Sequence, residues 1–111
     1  MKKFLALYRM DMEAMQKMMQ ETSAEDRKKS MGEWGEWMKK HMADFADAGA
    51  PVGKTKEVSA SGTTDTKNDI GGYSIVQAES HDAAAALFAD NPHLKMQGAI
   101  VELMEIVPMP A

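Results

Sequence analysis

The chain has 111 residues, 44% hydrophobic and 27% charged, with a net charge of −4. That is one domain, residues 1–111, able to bury roughly 65% of its unfolded surface, and the composition argues against a disordered chain. The acidic balance speaks against a nucleic-acid surface, and the absence of cysteine excludes disulfides, thiolate metal sites and a cysteine nucleophile.

Two lysines and a short apolar run, Phe4 to Tyr8, open the chain. The run is too short for the apolar core of a signal peptide, and Arg9 and Asp11 interrupt it. It predicts a first strand that is apolar on both faces and therefore central in its sheet. No segment approaches the ~20 apolar residues of a membrane span, so a cytoplasmic location is expected. Met12, Met15 and Met19 recur at helical spacing and predict a short amphipathic helix over residues 10–20. Ser23 then has the character of an N-cap, followed by Glu25 and Asp26 in a first turn.

From Ala24 to Ala48 the period is helical. Met31, Trp34, Met38, Met42 and Phe45 form an apolar stripe, with Gly49 as C′ residue and Pro51 blocking continuation. Gly32 and Gly35 inside this helix predict either close packing on a sheet or a break near residue 32. Pro51 to Ala60 reads as a modest second strand, and polar Ser61 to Gly71 as a long mobile loop. Gly72 to Ala78 reads as a third strand, with Tyr73, Ile75 and Gln77 on one face. Ser80 caps a second helix through Phe88, with Asn91 as its C-cap and Pro92 as its stop. Ala99 to Val107 is a fourth strand, ended by Pro108 and Pro110.

The order is βαββαβ, an α+β, ferredoxin-like arrangement with an antiparallel sheet. Two helices cover one face of four strands, yet the first and last strands carry large apolar residues on both. The second face needs a cover, and a second copy of the chain is the simplest one. A homodimer is therefore the expected state.

Several segments resemble the YCII-related family, which includes the DGPF-type proteins. They are Thr66-Lys67 with Ile70-Gly71-Gly72-Tyr73, Ala78-Glu79-Ser80 opening a helix, Asn91-Pro92-His93, and the ending Glu105-Ile106-Val107-Pro108-Met109. The Gly49-Ala50-Pro51 turn also fits. The resemblance implies the dimeric α+β barrel. The Asp-Gly-Pro-Phe signature is missing, and Ala60 to Thr63 stand in roughly its place. Some members use a histidine near the start of the first long helix, with an aspartate toward its end, as a catalytic pair. That position falls near Glu33-Trp34 here, where there is no histidine.

Chemistry-bearing residues are few. His93, in the turn before the last strand, is a candidate proton carrier near neutral pH. Glu102 and Glu105 interrupt an apolar strand and point to opposite faces. A buried carboxylate there would be a candidate acid or base, and ion pairing with Arg9 or a lysine is the stronger expectation. His93, Tyr73 and Glu105 make the candidate catalytic set. Tyr8, Trp37, His41 and Gln77 make the candidate ligand-binding set: Trp37 and His41 share a helix face apart from the main stripe, and Tyr8, Tyr73 and Gln77 are placed on the sheet face turned to the partner. The methionines suggest flexible packing more than copper binding. No histidine spacing signals zinc or iron, and no phosphate loop or nucleophile elbow is present. No cofactor is implied. The reading is a small-molecule-binding dimer with its cleft between the sheet and the first long helix. The alternatives are a cofactor-independent lyase or isomerase using His/Glu acid–base chemistry, and a structural or regulatory dimer without a ligand.

Overall fold

The computed structural model describes residues 1–109; Pro110, expected to help end the last strand, lies outside them. Strand β1 (Lys2–Arg9) leads into helices α1 (Met12–Glu21) and α2 (Ala24–Lys40). Next come β2 (Phe45–Pro51), β3 (Thr55–Ser59), β4 (Gly62–Thr66) and β5 (Ile70–Ala78), then α3 (His81–Leu87) and β6 (Ile100–Glu105). Short 3-10 turns cover Met42–Asp44 and Pro92–Lys95. The sheet order is β2-β5-β1-β6, with every neighbour antiparallel. This is the ferredoxin-like order, with β3 and β4 as a separate hairpin inserted between the second and third sheet strands.

Each helix starts at a capping side chain. The Asp11 carboxylate accepts from the backbone N–H of Glu13 at 2.9 Å, Ser23 Oγ from that of Asp26 at 3.1 Å, and Ser80 Oγ from that of Ala83 at 3.0 Å. Helix α2 carries Glu25 and Asp26 in its first turn and Lys39 and Lys40 in its last, both signs matched to the dipole. It runs unbroken through Gly32 and Gly35, neither of which has any packing neighbour within 4 Å. These glycines serve neither close packing nor a break.

The long helix ends at Lys40, eight residues before the end that the periodicity predicts. Residues 45–51 are instead the edge strand β2 on β5. Local chemistry favours this departure: Asp47 accepts from the Gly49 N–H at 2.9 Å, a turn bond that competes with a helix. Phe45 meets the Trp37 ring at 5.5 Å. The stripe changes accordingly. Met31 and Met42 are exposed, and Trp37, placed on a separate face by the spacing, is 4% exposed and in the core. The predicted second strand, Pro51 to Ala60, supplies only its last part, as the hairpin strand β3, and the predicted loop, Ser61 to Gly71, contains β4 and the start of β5.

The core lies between helices and sheet. Phe4, Ala6 and Tyr8 of β1, Val76 and Ala78 of β5, Trp37, Ala84 and Phe88 form one cluster. Residues in register share a face. Leu7, Tyr73 and Glu102 therefore stand together on the opposite face, as do Leu5, Ile75 and Met104. On that face Leu5, Leu7, Tyr73 and Ile75 are only half-buried, and Met104 is exposed.

Candidate functional site

A cavity of about 390 Å³ lies between the sheet and the first two helices. Tyr8 and Met10 bring β1 and its exit to the wall, α1 adds Met15, and α2 adds Trp34 and Met38. The β2 segment around Gly49 and the β5 segment from Gly71 to Ser74 form the floor, and His93 and Met96 close one side. Among the described residues no Asp, Glu, Lys or Arg lines it. Trp34 stands edge-on to Tyr8, with ring centroids 5.4 Å apart. Four thioethers against these rings make an adaptable, polarisable wall.

The polar groups of the wall are fixed by their partners. Ser74 Oγ donates to the Ala48 carbonyl at 2.8 Å and lies 2.9 Å from the Tyr8 hydroxyl. A serine hydroxyl has one hydrogen. That hydrogen is committed to Ala48, so Tyr8 donates to Ser74. Burial pushes the Tyr8 hydroxyl above its ordinary pKa, which keeps this proton in place. His93 is 5% exposed. Its Nε2 lies 2.9 Å from the Arg9 carbonyl and 3.1 Å from the Ile100 carbonyl. Two acceptors around one nitrogen require that nitrogen to carry the hydrogen. Buried Asn91 holds the turn, its side-chain oxygen accepting from the His93 N–H at 2.9 Å. It caps this 3-10 turn and is not the C-cap of the preceding helix.

The sequence-derived candidates separate. Tyr8, Tyr73 and His93 belong to the cavity wall. The Tyr73 side chain, in register with Leu7, points to the opposite face, so Tyr8 and Tyr73 do not share one. Gln77 pairs with Lys3 on that opposite face as well. Glu105 pairs with Phe4 and reaches Lys2 at 3.4 Å, whereas His93 sits beside Arg9 at the other end of β1. Five residues of strand separate the two ends, about 17 Å. The set His93, Tyr73 and Glu105 is thus not brought together. Glu102 bonds Arg9 at 2.7 Å, the ion pairing that the sequence favoured.

Trp37 and His41 belong to a different cluster. Trp37 Nε1 donates to Asp90 Oδ1 at 3.0 Å, Lys40 Nζ donates to Oδ2 at 2.8 Å, and the His41 ring lies tilted against Trp37 with centroids 5.0 Å apart. The Lys40 ammonium, aided by the Trp37 N–H, holds Asp90 down from 3.8 to about 2. The unfolded chain therefore binds a proton at Asp90 that the folded chain refuses between those values. The stabilisation is complete above pH ~4 and is lost as pH falls toward 2. Asp90→Asn is expected to remove this part of the acid limb. Urea midpoints from pH 2.5 to 5 for both chains test it: the gap between them should narrow as pH falls, and a constant gap would remove the linkage.

Sequence reasoning missed Ser74, Asn91, Met10 and Met96. Parity placed Ser74 on the face opposite Tyr73 and was the only sequence signal; its place beside Tyr8 follows from the strand register, which the structure supplies. Among the described residues no group of three or more metal-ligating His, Asp or Glu side chains gathers, and no helix is long and apolar enough to cross a membrane. A family model for the YCII-related domain matches residues 4–110. No curated protein matches the chain.

Proposed function

The chain belongs to the YCII-related family, and on that premise we propose that it is a cytoplasmic homodimer binding a small molecule in the cleft between the sheet and α2. The observation that carries this reading is the cavity itself: about 390 Å³, apolar, and walled by Trp34, Tyr8 and methionines, with a few fixed polar groups. The second copy is supported by the half-exposed apolar face on the other side of the same sheet.

A cofactor-independent lyase or isomerase is the second reading. It is favoured by one observation, a buried imidazole whose second nitrogen has no hydrogen-bond partner among the described residues. It ranks below binding because among the described residues no carboxyl group lines the cavity, and the Tyr8 proton is committed to Ser74.

Native mass spectrometry of the purified chain, without extraction, tests the proposal. The expected result is a dimer of 24.4 kDa (2 × 12.2 kDa) carrying extra mass that is released on activation. A dimer that carries no mass and takes up none from a panel of small apolar compounds would favour a structural or regulatory dimer without a ligand.

A further inference from the structure

Trp34 brings an indole N–H donor to the cavity wall, whereas His93 and Tyr8 bring acceptors. His93 Nε2 gives its hydrogen to the Arg9 and Ile100 carbonyls, at 2.9 and 3.1 Å. In a neutral ring Nδ1 is then a bare lone pair. Nδ1 has no hydrogen-bond partner among the described residues and is not a sealed-off buried atom, although the residue is 5% exposed. His93 is one of the residues that line the cavity. The Tyr8 hydroxyl, its hydrogen given to Ser74, likewise keeps only lone pairs. With the Tyr73 side chain on the opposite face, the two titratable side chains left to the wall, His93 and Tyr8, both accept.

The remaining lining fixes the rest of the ligand. A charged ligand would enter a wall without a counter-charge and lose its hydration without replacement. Tyr8 and Trp34 present rings at 5.4 Å, and Met10, Met15, Met38 and Met96 present sulfur, a combination suited to a flat ring.

We infer that the cavity takes an uncharged planar aromatic molecule that enters as a hydrogen-bond donor, a phenol or an N–H heteroaromatic, with His93 Nδ1 as its acceptor. This rests on the proposal that the cavity is a ligand site. A molecule of the same shape without the donor leaves Nδ1 buried and unpaired, so discrimination follows from a cost on the protein side as well as from the bond gained.

The test is a titration of tryptophan emission at pH 7 with three probes: 2-naphthol, its methyl ether 2-methoxynaphthalene, and 2-naphthoate. The expected order is 2-naphthol tightest, the ether weaker by about tenfold or more, and the carboxylate weakest. Equal binding of naphthol and ether would overturn the donor inference and leave the site reading standing. Tightest binding by naphthoate would overturn it too, since His93 would then act as a cation. Binding by none of the three would take down the site reading together with the inference.

His93→Phe is expected to abolish the preference for naphthol over the ether. That variant also loses the bonds to Arg9 and Ile100, so a second measurement stands independently of its folding. A long-range 1H–15N spectrum of the unmutated chain should show His93 Nδ1 without a proton, its signal moving with 2-naphthol and not with the ether. A protonated Nδ1 in the free chain at neutral pH would overturn the inference.

Discussion

Replacing Gly49 by alanine is expected to destabilise the chain by at least ~3 kcal/mol. Gly49 has φ +78, and a Cβ built on it falls 1.7 Å from the Tyr73 carbonyl oxygen, 2.6 Å from its carbon and 3.0 Å from Ser74 Cα. These are backbone atoms of an inner strand, so no rotamer change relieves the overlap. Edge strand β2 would have to move off β5. That movement takes the Ala48 carbonyl from Ser74 Oγ and leaves the Tyr8–Ser74 chain without its terminal acceptor. Stability and the cavity floor should fail together. Gly53→Ala is the control, because nothing lies within 4 Å of a Cβ there and its φ is not positive. Urea denaturation should lower the midpoint strongly for Gly49→Ala and shift it by no more than about 0.5 kcal/mol for Gly53→Ala. A Gly49→Ala midpoint equal to that of the parent would refute the close approach.

Gly49 also shows where the sequence was legible. Its expected role as a helix C′ residue demands positive φ, and positive φ is what it has. The conformation was readable; the element was not. The helical period from Ala24 onward continues through Met42 and Phe45, and in Ala46 to Ala50 the Asp47 turn bond argues against a helix without by itself specifying a strand. Pairing with β5 overrides it, because the outer edge of β5 needs hydrogen-bond partners and Phe45 gains a place against Trp37. The period identified the helix correctly and assigned its buried face wrongly: Trp37, one step off the stripe, is the residue the core takes.

β1 was legible because apolar residues on both of its faces require a central position, and β5 and β6 flank it. Two of the three N-caps, Ser23 and Ser80, were legible because serine before acidic or alanine-rich turns has few other roles, whereas Asp11 was read only as a charge interrupting the first apolar run. The β3–β4 hairpin was half legible. Val58 pointed to a strand, but Gly62 to Thr66 lack the apolar alternation that marks one, since the hairpin covers no core. At the site, His93 was singled out by its residue type, its turn position and the Asn91-Pro92-His93 segment. The direction of its hydrogen depends on the Arg9 and Ile100 carbonyls, 84 and 7 residues away, which no local pattern contains.

On the proposed dimer, Leu7→Glu is expected to give a folded monomer and the parent a dimer. Leu7 stands on the face away from the helices, in register with Tyr73 on one side and Glu102 on the other. In a single subunit it is half-buried, so a carboxylate there can reach water and the helix-side core is untouched. In a dimer closed over this face it would be desolvated next to Glu102, which already uses Arg9 as its partner at 2.7 Å. An unpaired charge sealed in this way costs about 3–5 kcal/mol, which weakens association more than 100-fold. Light scattering should therefore report 12.2 kDa for the variant against 24.4 kDa (2 × 12.2) for the parent, with the same far-ultraviolet dichroism. The cavity lies on the other side of the sheet, so probe binding should survive in the monomer unless the partner completes the site. Loss of both dimer and probe binding, with the fold intact, would mean that dimerisation shapes the cavity. A parent chain that stays monomeric at every concentration would end the argument that a second copy covers this face.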